Sequence, residues 1–149
     1  MHIDHVAIAV RSLDAAADRL HQTLGYVRKT TTVTNTRQRV DVMFLQKEGS
    51  LDIKLIAPSD ADSPLWDFVR KGGGLHHLCF KVPDVAAACA EASGKGARVL
   101  SPPAPGEAFN DHDIAFCFLG MGLNVELIDT DERRNLIETA RQAGDAANE

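Results

Sequence analysis

The sequence is short of positive charge. Its 16 Lys and Arg face 21 Asp and Glu, a formal balance of −5. A nucleic-acid binder needs a basic face to track phosphates, and no such face is written here. Only Arg37 with Arg39, and Arg70 with Lys71, hint at local anion contacts. Cysteine is scarce as well: Cys79, Cys89 and Cys117 are odd in number, lie in apolar segments and form no CxxC pair. That argues against a disulfide framework or a cysteine zinc site and favours buried, reduced thiols of a cytoplasmic protein. Long apolar runs are missing, and the N-terminus enters a strand pattern at once with no signal-peptide core, so no membrane partner is expected. Aromatics are thin, with one Trp, one Tyr and six Phe. What is present is ordinary: 149 residues, 44% apolar and 25% charged, enough for one domain or two small fused halves with a real core.

The chain is written twice. DHVAIAV, starting at Asp4, lies on HHLCFKV, starting at His76, when the sequence is shifted by 72 residues, so His5 falls on His77. In the same register Leu51–Ile56 falls on Leu123–Ile128, Val40–Phe44 on His112–Phe116, and Ser12 on Asp84. Each copy reads as a strand (3–10; 75–82), a capped helix (13–24; 85–93) and three extended segments. Those segments are 26–33, 38–46 and 51–56 in the first copy, and 98–100, 113–119 and 123–128 in the second. Glu48-Gly49 and Gly120-Met121-Gly122 suit hairpin turns between the last two strands. The fold class is therefore α+β, made of two βαβββ modules at 1–57 and 75–129. A linker at 58–74 carries a helix over 62–70, with Ser63 as cap and Pro64 at its first position. Residues 130–149 read as a C-terminal helix with an apolar face of Leu136, Ile137 and Ala140, fraying into a tail after Gly144.

Alternation along a strand gives these matches chemical meaning. His5 shares a face with Ala7 and Ala9, small residues that leave room beside an imidazole. His77 shares a face with Cys79 and Lys81, and His76 is expected on the far side. On the last strand of each module, Lys54 falls on Glu126. Should the modules pack about a pseudo-twofold, His5, His77, Lys54 and Glu126 converge. A single strand histidine is more often packed or exposed than functional; two at equivalent positions opposite a glutamate point to a site. His2, His21 and His112 have no such company.

Through HIDHVAIAV, SPLWDFVRKGGGLHH, GARVLSPPAPG and NVELID, residues 2–129 resemble the vicinal oxygen chelate superfamily of glyoxalase-like proteins. Within it they are most similar to the methylmalonyl-CoA epimerase family. The resemblance implies an open, curled mixed β-sheet barrel around a divalent metal (Co, Zn, Ni or Mn, with Fe less favoured), and a homodimer. It assigns metal ligands to His5, His77 and Glu126, with Lys54 at a fourth position usually Glu or Gln. It also implies an isomerase that moves a proton next to the carbonyl of a small molecule such as an acyl-CoA. Asp41 and Glu126 would then be the bases, and Lys54 a modifier or substitute cation. Enolate formation needs positive charge at the oxygen and a base at the carbon, so either a metal or the Lys54 ammonium suits the role. Three outcomes are open at Lys54. The metal binds through the other three ligands, the ammonium replaces it and pairs with Glu126 and Asp41, or burial beside a metal strips the lysine proton. Rival functions are a metal-free small-molecule binding or resistance protein of the same fold, and an Fe(II) two-His-one-carboxylate oxygenase.

Overall fold

The computed structural model describes residues 1–137. Nine strands and three helices follow the order β1 (His2–Ala9), α1 (Leu13–Leu24), β2 (Val27–Arg28), β3 (Val33–Asn35), β4 (Val40–Gln46), β5 (Asp52–Pro58), α2 (Trp66–Arg70), β6 (Gly74–Lys81), α3 (Val85–Gly94), β7 (Arg98–Gly106), β8 (His112–Phe118) and β9 (Asn124–Ile128). A one-turn 3-10 helix, Glu107–Phe109, joins β7 to β8. One sheet runs in the order β2-β4-β5-β1-β6-β9-β8-β7, with β3 also paired to β4. Its middle is the antiparallel β1–β6 pair, flanked by parallel β1–β5 and β6–β9 pairs. The order is thus symmetric about the β1–β6 seam, as a duplicated module requires.

Local chemistry accounts for these elements. Ser12 Oγ accepts from Ala15 N–H at 3.2 Å and Asp84 Oδ1 from Ala87 N–H at 2.8 Å, the same N-cap in both modules. Helix α1 ends at Gly25, whose φ of 77° is the left-handed conformation that a terminating glycine takes at little cost. Alternate residues of β4 divide between two cores. Val40, Val42 and Phe44 enter the cluster inside the curled sheet, whereas Met43 and Leu45 pack with Leu13 and Ala17 of α1 outside it. Cys89 and Cys117 are buried under α3 in a third cluster.

Four sequence expectations need correction. The first extended segment of the first module, 26–33, is broken into β2 and β3. The linker helix is only Trp66–Arg70, begins after Leu65 and takes no side-chain cap; Ser63 Oγ instead accepts from Leu65 N–H at 3.3 Å in the turn before it. Strand β7 runs on through SPPAPG to Gly106, farther than the expected 98–100. Its prolines are tolerated because β7 is the last strand of the sheet and its register slips on both sides of Ser101. The stretch after Asp129 is not helical through Ile137. It crosses back over the first module, where Thr31 N–H donates to Asn135 O at 3.1 Å and Ile137 N–H to Lys29 O at 3.0 Å. The expected continuation of that helix, with Ala140 and the tail beyond Gly144, lies outside the described residues. Among the described residues no helix is long and apolar enough to cross a membrane.

Candidate functional site

The seam of the sheet builds the site. Across the β1–β6 pair His5 sits opposite Cys79 and Ala7 opposite His77, which puts both imidazoles on the inner face one step apart. Strand β5 places Lys54 beside Ala7, and β9 places Glu126 beside Cys79. All four polar side chains are buried, with exposures of 0% for His5 and Glu126, 1% for Lys54 and 2% for His77. Each histidine meets the edge of a phenylalanine: His5 with Phe44 at 5.2 Å between ring centroids, His77 with Phe116 at 5.1 Å. Phe44 and Phe116 are themselves one 72-residue shift apart, so the pocket repeats down to its second layer.

Glu126 is the hub. Lys54 Nζ donates to its Oε2 at 2.9 Å and its Oε1 at 3.2 Å. His5 Nε2 lies 3.0 Å and His77 Nε2 3.4 Å from Oε1. Burial by itself would raise this carboxyl; the Lys54 ammonium, then the two histidines, outweigh it and hold Glu126 well below the ordinary carboxylate range. Burial lowers His77 to about 4 against an upward pull from Glu126, so the imidazole is neutral at neutral pH. Its Nε2 has no hydrogen-bond partner among the described residues.

Two bulges supply what alternation alone does not foretell. The register of β1 against β6 jumps between Ile3 and His5, and again between Ala7 and Ile8, leaving Asp4 and His76 as the extra residues. They are also one repeat apart. Each bulged residue reaches its neighbouring histidine: Asp4 Oδ2 lies 2.7 Å from His5 Nδ1, and His76 Nδ1 lies 2.8 Å from His77 Nδ1. His76 is therefore not on the far side, as strict alternation predicts, but beside His77 and against Phe68. Behind Asp4 stands Arg133, which donates to the same Oδ2 at 2.6 Å while its guanidinium lies 4.7 Å from the centroids of Phe44 and Phe109. Burial would raise Asp4, but the bond to His5 and the charge of Arg133 lower it below 3.8. Asp4 and Arg133 were invisible as site residues, since Asp4 differs in kind from its repeat partner and Arg133 lies outside both modules.

Asp41 is a correction. It shares the outer face of β4 with Met43 and Leu45, is half-buried and accepts from Thr34 Oγ1 at 2.6 Å. The inner positions of that strand are Val40, Val42 and Phe44, so β4 sends no acid into the site and Asp41 does not pair with Lys54.

A cavity of about 480 Å³ reaches the site at Lys54, His76 and His77, with His5 and Glu126 behind its lining. Lys54, His76 and His77 line its polar end, with Gln38, Ser101 and Asn124 around them. Its walls include Val40, Ile56, Leu65, Phe68 and Phe116.

The site's capacity for a divalent ion can be read from its donors. Ligand atoms of His5, His77 and Glu126 lie within 4.8 Å of one another, as do those of Asp4, His5 and Cys79. Two imidazoles and a carboxylate suit such an ion in kind and spacing. Lys54 does not: its ammonium occupies both oxygens of the only carboxylate in that trio. Cys79 is no thiolate ligand, because burial pushes its thiol far up. As they stand, Lys54 and Glu126 form a closed ion pair flanked by the two imidazoles.

The duplicated half-barrel with its inward histidines and closing glutamate defines a class of protein, and sequence comparison agrees. The model of the glyoxalase/bleomycin resistance protein/dioxygenase superfamily matches residues 4–116, and the chain belongs to that superfamily. Its relatives include epimerases of acyl-CoA thioesters. The ethylmalonyl-CoA/methylmalonyl-CoA epimerase of Cereibacter sphaeroides is 36% identical over 105 residues, covering 69% of this chain and 77% of that protein. The mitochondrial methylmalonyl-CoA epimerase of Mus musculus is 33% identical over 104 residues, 68% of this chain, and the match spans only 57% of its own length. A single-site variant of Streptomyces coelicolor methylmalonyl-CoA epimerase, solved with 2-nitronate-propionyl-CoA, has a TM-score of 0.77 at 29% identity, covering 88% of this chain and 98% of that one.

Proposed function

We propose that the chain is an epimerase-like isomerase that moves a proton at the carbon next to a carbonyl, on a small acyl thioester or oxo acid. The observation that carries this reading is the buried Lys54–Glu126 pair, set between two imidazoles under a cavity large enough for a short acyl group. The acyl chain would lie against Phe68 and Phe116 with its carbonyl oxygen toward Lys54. The oxygen becomes negative as the α-carbon loses its proton, and a preorganised cation in a water-poor site stabilises that charge. The proton passes to Glu126 and the C–H electron pair moves into the enolate; a proton given by His77 to the opposite face makes the epimer, and His77 regains one from Glu126 across their 3.4 Å contact. His5, held by Asp4, fixes the carboxylate's orientation. His77 faces the same oxygen at 3.4 Å and is the second group able to hold the proton. Acyl-CoA specificity is supported by the relatives, one of which was solved with methylmalonyl-CoA and NH4+ together.

A second reading has one observation in its favour. Strand β4 sends no acid into the cluster from the opposite side, which suits a metal-free ligand-binding protein of the same fold. Incubation with methylmalonyl-CoA, ethylmalonyl-CoA and small oxo acids in deuterated water separates the two. Exchange of the α-proton, lost in Glu126→Gln, is expected of the isomerase. Binding of these compounds without any exchange would sink the isomerase and leave the binding protein.

A further inference from the structure

We infer that the ammonium of Lys54 is the resident cation of the His5–His77–Glu126 site and keeps divalent metals out of it. This deepens the reading above by naming the charge that faces the substrate oxygen.

Charge and geometry carry the inference. The trio has the make-up of a divalent ion's binding face, and its donor atoms lie within 4.8 Å of each other. Into that face projects Nζ of Lys54, bonded to both oxygens of Glu126 at 2.9 and 3.2 Å. The lysine is 1% and the glutamate 0% exposed, so water screens neither partner. The Lys54 ammonium and the Glu126 carboxylate already cancel each other's charge. A dication added to that set would leave two uncompensated positive charges in the interior, and its nearest neighbour would be another cation. The Phe109 ring, 5.2 Å from Nζ, adds a face that favours a single diffuse positive charge.

The repeat strengthens the point. Lys54 and Glu126 are the same position of the duplicated module, 72 residues apart. A carboxylate at both would give the trio one more negative charge. Lysine at the first reverses that sign, a change of two units, the charge that a divalent ion would otherwise bring. The lysine tethers its cation to the sheet, so occupancy no longer depends on metal supply.

The test uses the full chain purified without a His-tag and titrated with Co²⁺. For the native sequence the inference expects no stoichiometric metal on purification, no Co²⁺ d–d absorption and no rise in melting temperature. For Lys54→Gln, which keeps a donor to Glu126 and removes the charge, it expects one Co²⁺ per chain, at least about 100-fold tighter than before. That binding should disappear when His77→Ala is added. A native chain that binds one Co²⁺ through His77 overturns the inference. So does a folded Lys54→Gln that binds none. Should Lys54→Gln fail to fold, the native titration decides alone. None of these signals depends on turnover, so absence of α-proton exchange would remove the isomerase and leave the metal result standing.

Discussion

Lys54 and Glu126, equivalent residues of two copies of one module, are each other's ion-pair partner across the interior of the sheet. Removing one partner strands the other. Lys54→Met leaves a buried carboxylate unpaired and should lower stability by about 3–5 kcal/mol. The double variant Lys54→Met/Glu126→Leu should recover much of that loss, because an apolar pair of similar volume often replaces a buried ion pair without penalty. Urea unfolding of the two variants and the native chain measures both effects. A double variant no more stable than the single one would deny the coupling.

Catalysis should distinguish the two acids named from the sequence. Glu126→Gln removes the carboxylate that would take the proton and should reduce α-proton exchange by about 100-fold or more. Asp41→Ala, on the outer face of β4, should leave the exchange rate within about twofold. A large loss in Asp41→Ala would show that the side chain reaches the substrate after all.

Acid should loosen the fold before the carboxylates titrate. Folded His77 takes a proton near 4 and its unfolded form near 6.5, so between those values the unfolded chain binds more protons and stability rises with pH. Its contribution is whole above 6.5 and is lost as pH falls toward 4, about 3 kcal/mol in all. Asp4 and Glu126 are shifted in the same direction, below 3.8 and 4.5, so what they contribute is present above those values and disappears in stronger acid. Unfolding free energies at stepped pH should therefore slope between 6.5 and 4, and the slope should flatten in His77→Gln.

The bulge at Asp4 gives a positional prediction. Asp4→Asn removes the charge that Arg133 and His5 share, and should cost about 1–3 kcal/mol. It should also release the His5 ring, seen as a changed ¹⁵N tautomer pattern in its imidazole. An unaltered pattern would mean that Glu126 alone holds the ring.

Glycines at the mouth of β6 differ in their tolerance. A Cβ on Gly73 would lie 2.5 Å from the carbonyl oxygen of Ala9, at a φ of 67°. On Gly72 it would meet nothing within 4 Å, although φ is 118°. Gly73→Ala should thus be the more damaging, since backbone must move as well as strain, with melting temperature as the measure.

Much of this was legible because duplication turns one sequence into two aligned ones. Matching His5 to His77 and Lys54 to Glu126 identified strands, faces and convergence without any external comparison. What failed did so for stated reasons. Asp41 was misplaced because a carry-over by resemblance ignored that β4 alternates, and its neighbours Met43 and Leu45 belong to the α1 side. His76 was misplaced because alternation assumes an unbroken ladder, and a bulge has no sequence signature beyond the glycines before it. Arg133 was lost because an amphipathic pattern after Asp129 reads equally well as helix or as chain pinned by one buried guanidinium.

The borders of the sheet limit how copies of this chain can meet. One border consists of β2 and β3, two and three residues long; the other is β7, whose Pro102, Pro103 and Pro105 carry no N–H to offer. Among the described residues, neither border offers a long unbroken row of free backbone donors to template another molecule's strand. Edge-on stacking of copies through these two borders is therefore unfavourable, which leaves side-chain surfaces as the better route to self-association.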